Sequence, residues 1–218
     1  MILEAHDVAV TIDHRTILHG ESVRCRHGEM TALVGPSDCG KTTLLYTLGL
    51  LLTPTGGQIT ADGAVVSATG HRARRKFWRD HAAVVLQEYG IVEDESVAFN
   101  ALMRRGARRA DPRLTAVLDK VGLAGREKEP ASHLSGGEKQ RLALARALYR
   151  DAHVLLVDEP TASLDAANRD LVIDLLAAIA QRGATVVVAT HDDDLIATCD
   201  HRHHLNASNA TAAPEGRP

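Results

Sequence analysis

Aromatic side chains make up only 3% of the 218 residues, so rows of base-stacking rings are missing and single-stranded nucleic acid is a poor fit as ligand. Cysteine is also scarce. Cys25, Cys39 and Cys199 are scattered, odd in number and without a Cys-x-x-Cys pair, which argues against a disulfide framework or zinc site and fits a reduced compartment. Neither sign of charge dominates: the formal net charge is −3, with no acidic tail and no strong pull toward nucleic acid. The longest apolar run, Leu44 to Leu52 (LLYTLGLLL), falls short of the roughly 20 residues that span a bilayer and reads as a buried helix. The start, MILEAHDVAVTID, has no basic segment followed by an apolar block, so no signal peptide is expected there. Any membrane role has to come through a partner.

What is present reads as one large α/β domain, long enough for a sizeable core. EAHDVAVTID and SVRCRHGEMTALVG alternate apolar and polar residues, which predicts short strands with turns at Gly20 and Gly28. Thr31 to Val34 is an apolar strand entering a glycine-rich loop. Lys41 then opens a helix to about Leu51, broken by Pro54, Gly56 and Gly57. QITADGAVV predicts a hairpin turning at Asp62-Gly63. A basic patch, HRARRKFWRD, precedes a strand over Ala82 to Leu86. From Tyr89 to about Ala131 the pattern turns helical, as an insert, and Ser135 to Gly137 open another helix with Leu142, Ala145 and Leu148 on its apolar face. HVLLVDE and ATVVVAT are continuous apolar runs, as in central parallel strands covered on both faces, joined by a helix from about Ala166 to Arg182. Residues 206–218 are small and polar and read as disordered. No internal repeat is visible.

Three stretches carry chemistry. In GPSDCGKTT, Gly35, Gly40, Lys41 and Thr42 fit Gly-x-x-x-x-Gly-Lys-[Ser/Thr]. Such a loop between strand and helix aims backbone N–H groups at a phosphate chain, with Lys41 on the β- and γ-phosphates and the Thr42 hydroxyl on Mg²⁺. In LLVDEP, Asp158 would help hold Mg²⁺ at the end of a buried strand, and Glu159 would orient and polarise the attacking water. In LSGGEKQR, Ser135, Gly136 and Gly137 form a second anion-binding surface at a helix start. One phosphate chain has no obvious need of two such loops from one subunit. A head-to-tail dimer, each Ser-Gly-Gly closing on its partner's γ-phosphate, is the simple solution.

At these residues the sequence resembles the ATP-binding cassette (ABC) ATPases, over nearly the whole chain to about Leu205. The phosphate loop is Gly35, Pro36, Ser37, Asp38, Cys39, Gly40, Lys41, Thr42 and Thr43, and LSGGEKQR is similar to the family signature. The resemblance implies a P-loop NTPase fold: a RecA-like parallel-sheet core, an N-terminal antiparallel β subdomain, and an inserted α-helical subdomain over about 88–150, all in one domain, 1–205. It implies roles for further residues. Gln87 reaches Mg²⁺ and senses the transporter, His191 acts as a switch near the γ-phosphate, and Ser163 to Asp165 touch the opposing subunit. Two residues depart from the family pattern. Ile12 stands where an aromatic residue usually stacks on adenine, and Asp38 stands where Gly is usual. Asp tolerates a left-handed backbone, so the loop survives if the carboxylate points to solvent or pairs with a cation. Cys39 reads as a small neutral filler.

The implied function is the ATP-hydrolysing subunit of a membrane exporter, with ATP and Mg²⁺ as cofactors, a second copy of itself and an integral membrane permease as partners, and no nucleic acid. It would sit peripherally on the cytoplasmic face of the bacterial membrane. TLLYTLGLLLTPTGGQITADG and IVEDESV resemble the lipoprotein-release, macrolide-efflux and bacteriocin-export group, with IVEDESV leaning toward the bacteriocin-export branch and the cargo implied as peptide or bacteriocin, lipoprotein or drug. The alternative is a non-transporting relative of the cell-division type that drives a signalling or mechanical partner. DNA-repair relatives carry a long coiled coil between phosphate loop and signature, and Thr43 to His133 has no sustained heptads. Tyr89, Ile91 and Val92 are either contacts for a membrane-domain helix or core residues. The arginines from Arg72 to Arg79, with Arg104, Arg105, Arg108 and Arg109, read as a solvated face before a lipid-binding one. His201 to His204 read as a His-rich surface turn before a metal site.

Overall fold

The structure, a computed structural model, describes residues 1–104, 111–162 and 164–205. Arg105, Arg108, Arg109, Ser163 and the tail 206–218 lie outside the described residues.

Two long strands, β1 (Leu3–Ile12) and β2 (Arg15–Cys25), form an antiparallel hairpin, and β3 (Met30–Val34) follows. Helix α1 (Lys41–Leu48) leads to a second hairpin, β4 (Gly56–Ala61) and β5 (Ala64–Val65). Helix α2 (His71–Asp80) and β6 (Ala82–Val85) come next, then helices α3 (Val97–Leu102), α4 (Pro112–Lys120) and α5 (Gly136–Arg150). The chain closes with β7 (Val154–Asp158), α6 (Ala166–Gln181), β8 (Thr185–Ala189), α7 (Asp193–Thr198) and β9 (His201–His204). One sheet is antiparallel, ordered β2-β1-β4-β5. The other is parallel, ordered β6-β7-β8-β3-β9.

The apolar runs become central strands because both faces are covered. Along β7, Val154 and Leu156 enter a core shared with α1 and the antiparallel sheet, while Leu155 and Val157 enter the core under α3 to α6. On β8, Val187 and Ala189 go one way and Val186 and Val188 the other. Burying each such Val or Leu stabilises the fold by about 1.5–3 kcal/mol relative to leaving it exposed. Helix α1 contacts strands of both sheets and fixes the loop before it. Among the described residues no helix is long and apolar enough to cross a membrane.

Three expectations need correction. Gly20 does not turn the chain. It is a bulge inside β2 at φ 92°, where the register slips between Val8↔Glu21 and Ala9↔His19. The turn is made instead by Asp13 and His14, at φ 47° and 65°, residue types that accept the left-handed region more readily than most. His201 to His204 are not a surface turn. They form an edge strand parallel to β3, in which His201 Nε2 lies 2.7 Å from Glu29 and His203 Nε2 3.0 Å from Glu21. Residues 88–95 are irregular rather than helical. Asn100, buried on α3, ties them down by accepting from Val92 N at 2.8 Å and donating to Val92 O at 2.9 Å. Tyr89 and Ile91 pack partly on the core, whereas Val92 is exposed.

Candidate active site

The glycine-rich loop runs from the buried end of β3 into α1. Gly35 has no room for a side chain: a Cβ there would lie 2.5 Å from Leu205 O and 2.7 Å from Cys39 Sγ. Cys39 is the buried filler expected of it. Asp38 adopts φ 61° and is exposed, so the left-handed backbone that the loop requires is met by a residue that tolerates it. Lys41 Nζ donates to the carbonyls of Gly35 at 2.8 Å and Pro36 at 2.9 Å, which holds the ammonium over the loop.

A cavity of about 620 Å³ opens beside this loop. Ser37, Asp38, Gly40, Lys41, Thr42, Thr43, Gln87, Glu159 and His191 line it together with Arg15, Ile17 and Ala162. Nine of the anticipated residues, from four separate stretches of sequence, therefore meet in one place. Pro36 contributes through its carbonyl, and Gly35 and Cys39 shape the loop from behind. Ile12 ends β1, exposed, and does not line the cavity. Ser135, Gly136 and Gly137 do not line it either.

Asp158 stands at the end of β7 and is 2% exposed. Thr42 Oγ1 donates to its Oδ1 at 3.1 Å, and the Tyr46 hydroxyl donates to it as well. Burial pushes the Asp158 carboxyl above the usual carboxylate range. The Thr42 and Tyr46 hydrogen bonds pull the other way, and the neighbouring Glu159 charge reinforces the rise. Tyr46 is itself pushed up to about 12, by burial and then by the Asp158 charge. A carboxylate with hydroxyl donors beside a phosphate loop is a hard oxygen set short of positive charge, which fits Mg²⁺. Glu159 follows at φ 45°, a strained left-handed conformation for a non-glycine residue. Its Oε2 is buried without an aligned hydrogen bond, and His191 Nδ1 lies 3.0 Å away. A carboxylate with a free lone pair at a cavity wall can accept a proton from a water placed there.

The Ser135 loop is built as a helix N-terminus. Ser135 Oγ accepts from Glu138 N at 3.3 Å, and Glu138 Oε2 accepts from Ser135 N at 2.8 Å, a reciprocal capping box. Arg126 holds Glu138 Oε1 and forks onto Glu129 at 2.6 and 2.8 Å. Burial raises the Glu138 carboxyl, yet the Ser135 N–H and Arg126 outweigh it and its pKa ends below the usual range. Arg141, buried on α5, donates to Val121 O at 2.9 Å and to Asn168, and Asn168 is bound to Asp165, the N-cap of α6. The signature helix and the segment after Glu159 are thus one hydrogen-bonded unit. Arg15, Ile17, Tyr46, Arg126 and Asn168 were not found by motif. They are single residues whose roles depend on tertiary contact, and no spacing announces them.

Comparison with known proteins agrees with this geometry. A sequence profile of the ABC transporter family matches residues 18–162. The lipoprotein-releasing system ATP-binding protein LolD 1 of Caulobacter vibrioides is 38% identical over 203 residues, covering 90% of this chain and 87% of its own. The LolD protein of Paramagnetospirillum magneticum is 38% identical over 194 residues, covering 86% of each chain. Among solved structures, the dimeric bacterial ABC transporter cassette MJ0796 superposes with a TM-score of 0.84 at 26% identity, over 94% of each chain. Its post-hydrolysis dimer bound to ADP and Pi gives 0.83 at 26% identity, over 94% of this chain and 96% of its own. The chain belongs to the ABC transporter family, as an ATP-binding and ATP-hydrolysing cassette.

Proposed function

We propose that this chain powers a LolD-type exporter, one that releases lipoproteins, from the cytoplasmic face of a bacterial membrane, as a head-to-tail dimer beneath permease subunits. The observation that carries the reading is a division of parts. Phosphate loop, Gln87, Glu159 and His191 share one cavity, while Ser135, Gly136 and Gly137 stand outside it. A second copy would supply the missing anion-binding surface, and the cassette MJ0796, a relative by fold, is dimeric in two solved structures. The likeness to LolD proteins over nearly the full length supports lipoprotein as cargo. Asp38 is exposed, and it also lines the cavity beside the loop.

Thr42, Asp158 and Gln87 are the residues that would hold Mg²⁺, and when bound the ion neutralises phosphate charge and clamps the triphosphate. Lys41, released from the Gly35 and Pro36 carbonyls, would turn to the phosphates. Glu159 would accept the proton of the attacking water, and His191 would fix the carboxylate and sense the γ-phosphate. Positioning of this kind is most of what phosphoryl transfer asks of a protein.

Glu159→Gln tests the reading. It should keep ATP affinity, lower turnover by about 10²–10³-fold, and double the scattering mass in magnesium and ATP. Monomers only, at high concentration, would overturn the dimer. Release of a lipidated protein from proteoliposomes holding the purified permease complex tests the cargo, and ATP turnover without release would overturn it.

A further inference from the structure

The cavity lining divides into two ends. Ser37 to Thr43 form the phosphate end, and Gln87, Glu159, Ala162 and His191 form the wall where hydrolysis would occur. Two lining residues belong to neither, Arg15 and Ile17. They lie two apart on β2, so they share one face of the strand. That strand packs directly on the phosphate loop: a Cβ placed on Gly40 would lie 2.7 Å from Leu18 Cδ2 and 3.3 Å from Ile17 Cγ2. The place of Arg15 and Ile17 relative to the loop is therefore fixed by packing.

If the triphosphate lies on the loop, as proposed above, the nucleobase must lie on what remains. Among the described residues no Phe, Tyr or Trp lines the cavity, and Ile12 is outside it. Arg15 is exposed and makes no ion pair among the described residues. Its guanidinium is planar, weakly hydrated and suited to stack on an aromatic face. The Ile17 side chain is a purely apolar surface for a base. Neither residue separates adenine from guanine, because a stacked guanidinium reads the π-face that every base presents.

We propose that Arg15 seats the nucleobase by stacking, in place of an aromatic ring, and that the site consequently accepts guanosine triphosphate about as well as adenosine triphosphate. The consequence is a cassette whose base selection is weak and whose affinity is set at one cationic residue on the β1–β2 hairpin.

The test is calorimetric titration of the full chain, in Mg²⁺, with the imido analogues of ATP and GTP and with inorganic triphosphate. Wild type should bind the two nucleotides within about threefold of each other, as sequence-tolerant stacking requires. Arg15→Ala should weaken both nucleotides about tenfold, from loss of stacking, and leave inorganic triphosphate within about twofold. Arg15→Phe should restore nucleotide binding, since a ring stacks as well. Equal losses for nucleotide and triphosphate would make Arg15 a phosphate contact and overturn the proposal. So would no loss at all, or a wild type that strongly prefers ATP. A wild type that binds none of the three ligands would bring down the phosphate-loop reading itself, and this proposal with it.

Discussion

At the scale of single residues, the site is paid for in stability, and Asp158 shows how. It is buried beside Glu159 and its carboxyl is raised above the usual range, first by desolvation. A raised acid contributes its full stability below the unfolded value of about 4 and loses it as pH rises through the folded value. Once ionised, the side chain therefore weakens the nucleotide-free protein. Asp158→Asn keeps an oxygen for Thr42 and Tyr46 to bond and removes the charge. Its denaturant midpoint should exceed wild type at pH 7.5, and the gap should close as the pH falls through the raised pKa of Asp158. The same variant should lose the extra stability that magnesium and ATP confer on wild type, because binding to the native state alone is what produces it. A midpoint unchanged or lowered at pH 7.5 would show that the buried charge is not a cost. The contiguous motif was legible in the sequence at this scale because its chemistry is spaced along the chain. Tyr46, which reaches Asp158 from the next turn of the same helix, was not, because a tyrosine within LLYTLG looks like core.

At the scale of elements, legibility followed burial. VLLVD and TVVVA were readable as central strands because two-sided burial leaves an unbroken apolar run. Strand β9 was hidden because HRHH is an edge, and its histidines are satisfied by Glu29 and Glu21 from distant parts of the chain. The turn at Asp13-His14 was hidden because Gly20, six residues on, carries the stronger turn signal and forms a bulge instead. Helix α1 ends at Leu48, three residues before the end its sequence suggests, since Leu50 and Leu51 continue the apolar run after Gly49 has ended the helix. Gly49 has a packing reason to be there: a Cβ would lie 2.4 Å from Leu156 Cδ1 on β7 and 3.2 Å from Trp78 Cζ2 on α2. Its φ of −77° is ordinary, so a larger residue fails on space alone. Gly49→Ala should destabilise by about 1–3 kcal/mol, the usual cost of overpacking a closed core, measured by urea unfolding. Leu156 lies two residues before Asp158, so the strain falls on the strand that carries the site. A change below about 0.5 kcal/mol would show that α1 and β7 can move apart freely.

At the scale of the whole molecule, the proposed dimer would join two copies whose parts complement each other. Each cassette holds a phosphate loop in its own cavity and a capped helix start outside it. Complementation separates a shared site from a private one. Gly136→Glu places a carboxylate at the first position of α5, where it favours the helix and repels a phosphate, so the fold is retained while the signature fails. Gly136 is exposed, and only the Tyr89 hydroxyl, 3.3 Å from its ideal Cβ, has to yield. Lys41→Ala removes the phosphate lysine and leaves the signature intact. Each variant alone should be inactive. In their heterodimer, one composite site has lost both motifs, and the other joins an intact loop to an intact signature. Random mixing makes half of the dimers heterodimers with one working site of two, so ATP turnover should recover to about a quarter of wild type if the sites act independently. Recovery should grow with protein concentration and vanish when the two variants are assayed apart. A mixture as inactive as its components would mean that both sites must fire together or that each cassette works alone. Turnover by Gly136→Glu on its own decides between these, because a cassette that works alone does not need a signature outside its cavity.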